Sequence, residues 1–252
     1  MMERRNTMKT HWQPSKDWLE QICNFENKIG YSFKNKKYLI EALTHSTYSY
    51  EHSMYGLECN ERLEFLGDLV LGLTVGNHLF KTFPTYPEGK LSKLKAALVC
   101  EPTLAIVAHN WELDKVLLLG KGEETSGGRN KPSSLADATE AVLGAVFCDA
   151  DFVAAATVIL RVLEPLIQEA VAGNLVYDYK SALLEKIQTK YHSSQLRFVL
   201  LDETGPAHSP SFKMGIYLVN DLLATAIGSS KKEAEQIAAK QALQLLDMKK
   251  CI

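Results

Sequence analysis

The chain has 252 residues, 46% of them hydrophobic and 23% charged, the balance of a globular protein with room for one large domain or two smaller ones. No apolar run reaches the ~18–20 residues that span a bilayer, and the N-terminal "MMERRNTMKTHWQPSKDW" lacks the apolar core of a secretory signal. The net charge of −2 argues against a nucleic-acid partner, but it is unevenly spread: from Asn174 onward there are 10 Lys and Arg against 8 Asp and Glu, and before it 18 against 22.

Taken in chain order, residues 1–17 read as a disordered tail. From 18 to 171 the pattern is helical. Apolar residues recur at three- and four-residue spacing in "KKYLIEALTHSTY", "LSKLKAALVCEPTLAIVAHNWEL" and "DFVAAATVILRVLEPLIQEA", with turn-rich breaks at "FPTYPEGK" and "GKGEETSGGRNKPSS". A linker is expected at 172–177. The pattern then changes to helix, three strands and a strong closing helix over 178–247, enough for a small independent domain. The five cysteines, Cys23, Cys59, Cys100, Cys148 and Cys251, form no C-x-x-C pair. They suit reduced thiols in a cytoplasm better than a zinc site or a disulfide framework.

The apolar stretch "ECNERLEFLGDLVLGL" (58–73) contains Glu61, Glu64 and Asp68. A helix turns ~100° per residue, so with Glu61 at zero, Glu64 falls near ~300° and Asp68 near ~340°. Leu63, Leu66, Leu69, Val70 and Leu73 centre near ~140°, on the opposite side. On a generic amphipathic helix such a stripe is the solvated face. Phe65, however, lies at ~40° on the acidic side, and Arg62, off the edge of the stripe, is the nearest cation. Close carboxylates raise one another's pKa, and a bound divalent cation is the simplest relief.

"PSSLADATEAVLGAVFCD" repeats the theme. Ser133 or Ser134 is expected to cap this helix after Pro132. Asp137 and Glu140 then share one face at i, i+3. A lone pair of this kind is usually a first-turn acid favoured by the helix dipole. If the two helices pack face to face, Glu64, Asp68, Asp137 and Glu140 converge into an oxygen-only site suited to Mg²⁺ or Mn²⁺, the equipment for attacking phosphodiesters.

At these residues the chain resembles the ribonuclease III family. "NERLEFLGD" and "TSGGRNKPSSLADATEAVLGAVFCD" match its signatures, and "LIEALTHSTY" before the first and "FPTYPEGKLSKLKAALV" between the two match further segments of the family. The resemblance implies an all-α endonuclease domain followed by a small α+β domain of order α-β-β-β-α. It implies a Mg²⁺-dependent homodimer that cuts double-stranded RNA, with Mn²⁺ able to substitute. It places Glu64, Asp68, Asp137 and Glu140 on the metal-binding carboxylates and Glu61 and Glu88 on auxiliary acids of the cleft. It makes Phe65 a knob at the dimer interface. It further implies cytoplasmic processing of ribosomal RNA precursors and structured transcripts, leaving 5′-phosphate and 3′-hydroxyl ends with short 3′ overhangs. His45 and Ser46 in "LTHSTY" read as packing or RNA-edge residues, since no second motif completes a triad. The "SGG" lacks the surroundings of a phosphate-cradling loop.

In the last helix, "GSSKKEAEQ" puts Lys231 and Lys232 in the first turn, where the helix dipole disfavours cations. A solvated surface tolerates this. Equally, two lysines at a helix N-terminus make an anion site aimed at phosphate, with Ser229 or Ser230 capping the helix or donating to the same phosphate. The segment resembles a double-stranded RNA-binding domain, which implies minor-groove contacts from Glu185 and Gln188 on its first helix and from His208 in "GPAH". Leu184 stands where a polar contact residue can occur. Such domains read A-form shape, 2′-hydroxyls and phosphates, which needs only a modest positive charge. The alternative function is a non-catalytic scaffold dimer that holds duplex RNA. The intact set of four acids argues for the enzyme.

Overall fold

The computed structural model describes residues 12–173, 175, 179–191, 196–206 and 210–248. Residues 1–11 of the expected tail, 174, 176 and 177 of the expected linker, residue 178 at the start of the expected second domain, and His208 lie outside the described residues. The chain divides into two compact units, Met1–Leu175 and Val176–Ile252. Among the described residues no helix is long and apolar enough to cross a membrane.

The first unit contains α1 (Lys16–Ile29), α2 (Lys36–Ala42), α3 (Ser46–Glu51), α4 (Glu61–Thr82), α5 (Glu88–Leu98), α6 (Glu101–Trp111), α7 (Lys121–Thr125), α8 (Pro132–Asp149) and α9 (Phe152–Val171). Helix α1 opens at Lys16, inside the stretch assigned above to the tail. The Ser15 side chain accepts from Trp18 N–H, and Trp12 packs edge-on against Trp18 with ring centroids 5.5 Å apart. Two aromatic side chains and a cap are enough to order this entry. At the far end of α8, Asp149 accepts from Tyr31 Oη at 2.7 Å and from the Lys34 and Asn35 N–H groups at 2.8 Å each. One carboxylate thus ties the loop between α1 and α2 to α8.

Helix α8 is the centre of this unit. Every residue from 134 to 146 is buried except Asp137 and Glu140. Its N-terminus differs from expectation: Pro132 is the first helical residue, Lys131 stands at the cap position with no side-chain hydrogen bond, and Ser134 is buried within the first turn. Proline suits that place because its fixed φ is helical and the missing N–H has no helical partner there.

Helices α4 and α8 cross with their backbones in contact. A Cβ added to Gly67 would fall 1.8 Å from the Glu140 carbonyl oxygen, and one added to Gly144 would fall 2.2 Å from the Leu63 carbonyl oxygen. Only glycine fits at either position. The crossing also overturns the single apolar face expected for α4. Leu63, Gly67, Val70, Leu71, Thr74, Val75 and Leu79 are buried, whereas Leu69 is 54% and Leu73 62% exposed. The buried face is rotated toward the acids. A second apolar face is left outside.

In the second unit, α10 (Tyr179–Tyr191) and α11 (Lys231–Met248) pack on an antiparallel sheet of order β1 (Leu196–Thr204), β2 (Ser211–Leu218), β3 (Asp221–Gly228). The register sets Phe198 opposite Ile216 and Ile216 opposite Ala224, which puts them on the helix side with Leu183, Ile187, Ala238, Ala239, Ala242 and Leu246.

Substituting Gly144 by Ala should cost about 3 kcal/mol, the upper end for overpacking, because the obstructing atoms are backbone and cannot swing aside. Urea unfolding measures it, and a change below about 1 kcal/mol contradicts the close crossing.

Candidate active site

The crossing positions the acids. On α4, Glu64 lies one turn before Gly67 and Asp68 one residue after it, while Glu140 of α8 sits on the contact itself. Asp137 follows one turn back along α8. Glu64, Asp137 and Glu140 are half-buried and Asp68 is exposed. Their charges act on one another. Glu140 is pushed up to about 8, first by burial and then by Asp68, Glu64 and Asp137. Burial raises Glu64 as well, assisted by Asp137, Glu61 and Asp68. Asp137 is raised by burial and then by Glu101, with His45 and Lys131 opposing. The largest charges acting on Glu64 and Glu140 are thus all negative.

As the side chains stand, no three His, Cys, Asp or Glu residues among those described are drawn tightly enough together to hold a metal ion. The donor chemistry nevertheless fits a hard cation: four carboxylates about one crossing, oxygen-only, with Asp68, Glu64 and Asp137 adding to the burial that raises Glu140. Glu61, the first residue of α4, is exposed and acts on Glu64 from the rim. Glu88 opens α5 and accepts from Ser92 Oγ at 2.6 Å; it is not among the charges that shift the three raised carboxyls. Glu101 and His45 were not foreseen as neighbours of Asp137. Nothing in their spacing signals it, because α6 and the residue before α3 reach Asp137 through tertiary packing.

Phe65 is 70% exposed, and it is joined on the outer face of α4 by Leu69, Leu73 and Phe80. Sequence reasoning missed the last three. The helical wheel had placed Leu69 and Leu73 on the single apolar face expected to be buried, whereas the structure leaves both exposed beside Phe65.

In the second unit Glu185 and Gln188 are exposed on α10, on the side away from the buried Leu183 and Ile187. Lys231 and Lys232 are exposed in the first turn of α11. Lys231 Nζ lies 3.4 Å from Glu203 and 5.4 Å above the Phe212 ring. The two serines divide their work. Ser230 Oγ accepts from Glu233 N–H at 3.1 Å, and Glu233 in turn accepts from Ser229 N–H at 2.7 Å and from the Ser229 hydroxyl. These bonds hold Glu233 below the usual carboxylate range. The pattern is a capping box displaced by one residue.

Residues 35–166 match the family described as Ribonuclease-III-like, and residues 179–246 match the double-stranded RNA binding motif. A relative from Pelotomaculum thermopropionicum named Ribonuclease 3 is 46% identical over 232 residues, covering 92% of this chain and 96% of the relative. The chain belongs to the ribonuclease III family. Another relative named Ribonuclease 3, from Geobacillus kaustophilus, is 47% identical over 221 residues, covering 88% of this chain and 89% of its own. Among solved structures, the ribonuclease III nuclease domain of Campylobacter jejuni superposes with a TM-score of 0.54 at 45% identity, over 57% of this chain and 96% of that one. That domain is described as flexible in a region involved in dimer formation.

The raised carboxyls set a pH dependence for this family member. A carboxyl raised on folding binds its proton more tightly in the native state. Its stabilising contribution is therefore complete below the unfolded pKa and is lost as pH rises through the folded value, about 8 for Glu140. In EDTA the melting temperature should fall between about pH 5 and 8.5, and Glu140→Gln should flatten that fall. Equal slopes for the two proteins contradict the assignment.

Proposed function

We propose that this endoribonuclease, which acts on double-stranded RNA, uses Glu64, Asp68, Asp137 and Glu140 to hold Mg²⁺, with Mn²⁺ able to replace it, and hydrolyses the RNA backbone beside them. One observation carries the proposal: the crossing of α4 and α8 brings four carboxylates within electrostatic reach, and burial, reinforced by Asp68, Glu64 and Asp137, pushes Glu140 up to about 8. A divalent cation bound there lowers the pKa of water and offsets charge developing on the phosphate oxygens.

The chain's own contribution is positional. Asp137 and Glu140 project from the most deeply buried helix, so their backbone is fixed by the core. Asp68 stands at the exposed edge of the cluster, on the side open to RNA. Glu61 adds negative charge at the rim, which favours cation capture, and Glu88 serves as an auxiliary acid of the cleft. Water attacks phosphorus and the 3′ oxygen departs, leaving a 5′-phosphate and a 3′-hydroxyl.

The outer stripe of α4, comprising Phe65, Leu69, Leu73 and Phe80, is the contact of a two-fold homodimer. Contiguous exposed apolar side chains of this size call for a partner, and a self-complementary patch closes as a dimer. Each protomer then offers one cluster to one RNA strand, and the offset between them leaves short 3′ overhangs. In the second unit, Lys231 and Lys232 bind phosphates while Glu185, Gln188 and His208 reach minor grooves. Ser229 is committed to Glu233 and supports the helix start. Ribosomal RNA precursors and structured transcripts in the cytoplasm are the proposed substrates.

Glu140→Gln tests the metal assignment. Turnover of a long duplex should fall about 10²–10³-fold while binding in EDTA stays at the wild-type level. Cleavage at the wild-type rate would sink the proposal. Leu73→Asp tests the dimer. Two unpaired charges buried across the axis should raise the dimer dissociation constant about a thousand-fold, read by analytical ultracentrifugation. An unchanged sedimentation profile would remove α4 from the interface.

A further inference from the structure

His45 is held in an arrangement that the carboxylate chemistry leaves unused. It stands immediately before α3 and caps it. Thr47 N–H donates to His45 Nδ1 at 3.3 Å, and Thr47 Oγ1 lies 2.8 Å from the same nitrogen. Thr47 Oγ1 also accepts from Gly120 N–H at 3.0 Å. With a lone pair engaged there, the threonine hydroxyl can turn its proton to Nδ1. Two donors meet at Nδ1, so the network assigns the proton of the neutral ring to Nε2. Among the described residues Nε2 has no hydrogen-bond partner.

The backbone fixes where this donor stands. His45 N–H donates to Leu118 O at 3.0 Å, and the adjacent Thr44 O accepts from Asn60 N–H at 2.9 Å. His45 therefore lies between the entry to α4 and the segment that leads to α8, the two helices that carry the acids. The ring is close enough to Asp137 to act on its carboxyl. Capping alone does not call for histidine, since Asn, Asp, Ser and Thr are the better caps. What histidine adds is a second nitrogen, Nε2, on a half-buried ring and without a partner among the described residues.

We propose that His45 donates Nε2–H to a phosphodiester oxygen of the RNA where the backbone passes Asp137, which makes it an RNA-contacting residue of the nuclease unit. The inference rests on the carboxylate cluster being the place of cleavage.

Two variants of the full chain separate contact from cap. Asn places an acceptor where Nδ1 sits, so His45→Asn keeps the cap and loses the donor at Nε2. Gln places an amide donor near Nε2, so His45→Gln keeps the donor. Affinity for a duplex RNA is read by fluorescence anisotropy in EDTA, alongside thermal unfolding. His45→Asn should melt like wild type and bind about five-fold more weakly, the loss of one hydrogen bond. His45→Gln should bind within about two-fold of wild type. Wild-type affinity in His45→Asn overturns the proposal. If either variant is less stable, affinity that follows the melting temperature also overturns it, and affinity restored in His45→Gln despite a weaker cap upholds it. These affinities are read without cation or turnover. If Glu140→Gln cuts normally, the carboxylate assignment fails while the His45 result still stands.

Discussion

The nuclease unit depends on one contact, the backbone-to-backbone crossing of α4 and α8 at Gly67 and Gly144. With a Cβ at either position the helices must separate, because the atoms in the way are the carbonyl oxygens of Glu140 and Leu63. The crossing brings carboxylates from two segments, some seventy residues apart in the chain, within electrostatic reach of each other. It also turns the buried face of α4 toward its acids, which strips water from Glu64 and Glu140 and lifts their pKa values. Fold and chemistry are set by the same pair of glycines.

The four acids were legible before the structure because their spacing put each pair on one helix face and the surrounding motifs resemble those of a known family. The order α-β-β-β-α was legible from the change of hydrophobic period after 178. The faces of α4 were not. A helical wheel assumes one apolar partner, and α4 has a buried face against α8 and an outer stripe through Phe65, Leu69 and Leu73. The start of α8 was misjudged because serine is the better cap in general, but Pro132 fills the first helical position and draws Ser134 into the core. Glu101 and His45 were invisible as neighbours of Asp137, since contacts between distant segments leave no local spacing. Where sequence offered a choice between Ser229 and Ser230, hydrogen bonding to Glu233 separates them.

The RNA-binding unit manages charge differently from the nuclease unit. Its lysines stand at a helix start that already repels them, and Lys231 is partly balanced by Glu203 across the surface. An exposed pair of this kind is worth little and yields readily to a phosphate. The nuclease unit instead concentrates like charges in a half-buried place, where screening is weak.

The burial of α8 has an evolutionary consequence. Asp137 and Glu140 are the only residues between 134 and 146 that the core does not enclose, and they stand against their neighbours' repulsion. Replacing Asp137 with a neutral side chain removes charge that raises its neighbours, and replacing Glu140 removes the cost of burying an ionisable group, in neither case disturbing the packing around it. Loss of these acids is therefore thermodynamically downhill for this fold. A lineage that did not need these acids would drift toward more stable proteins of the same shape, so their presence together is itself a mark of selection for something other than stability.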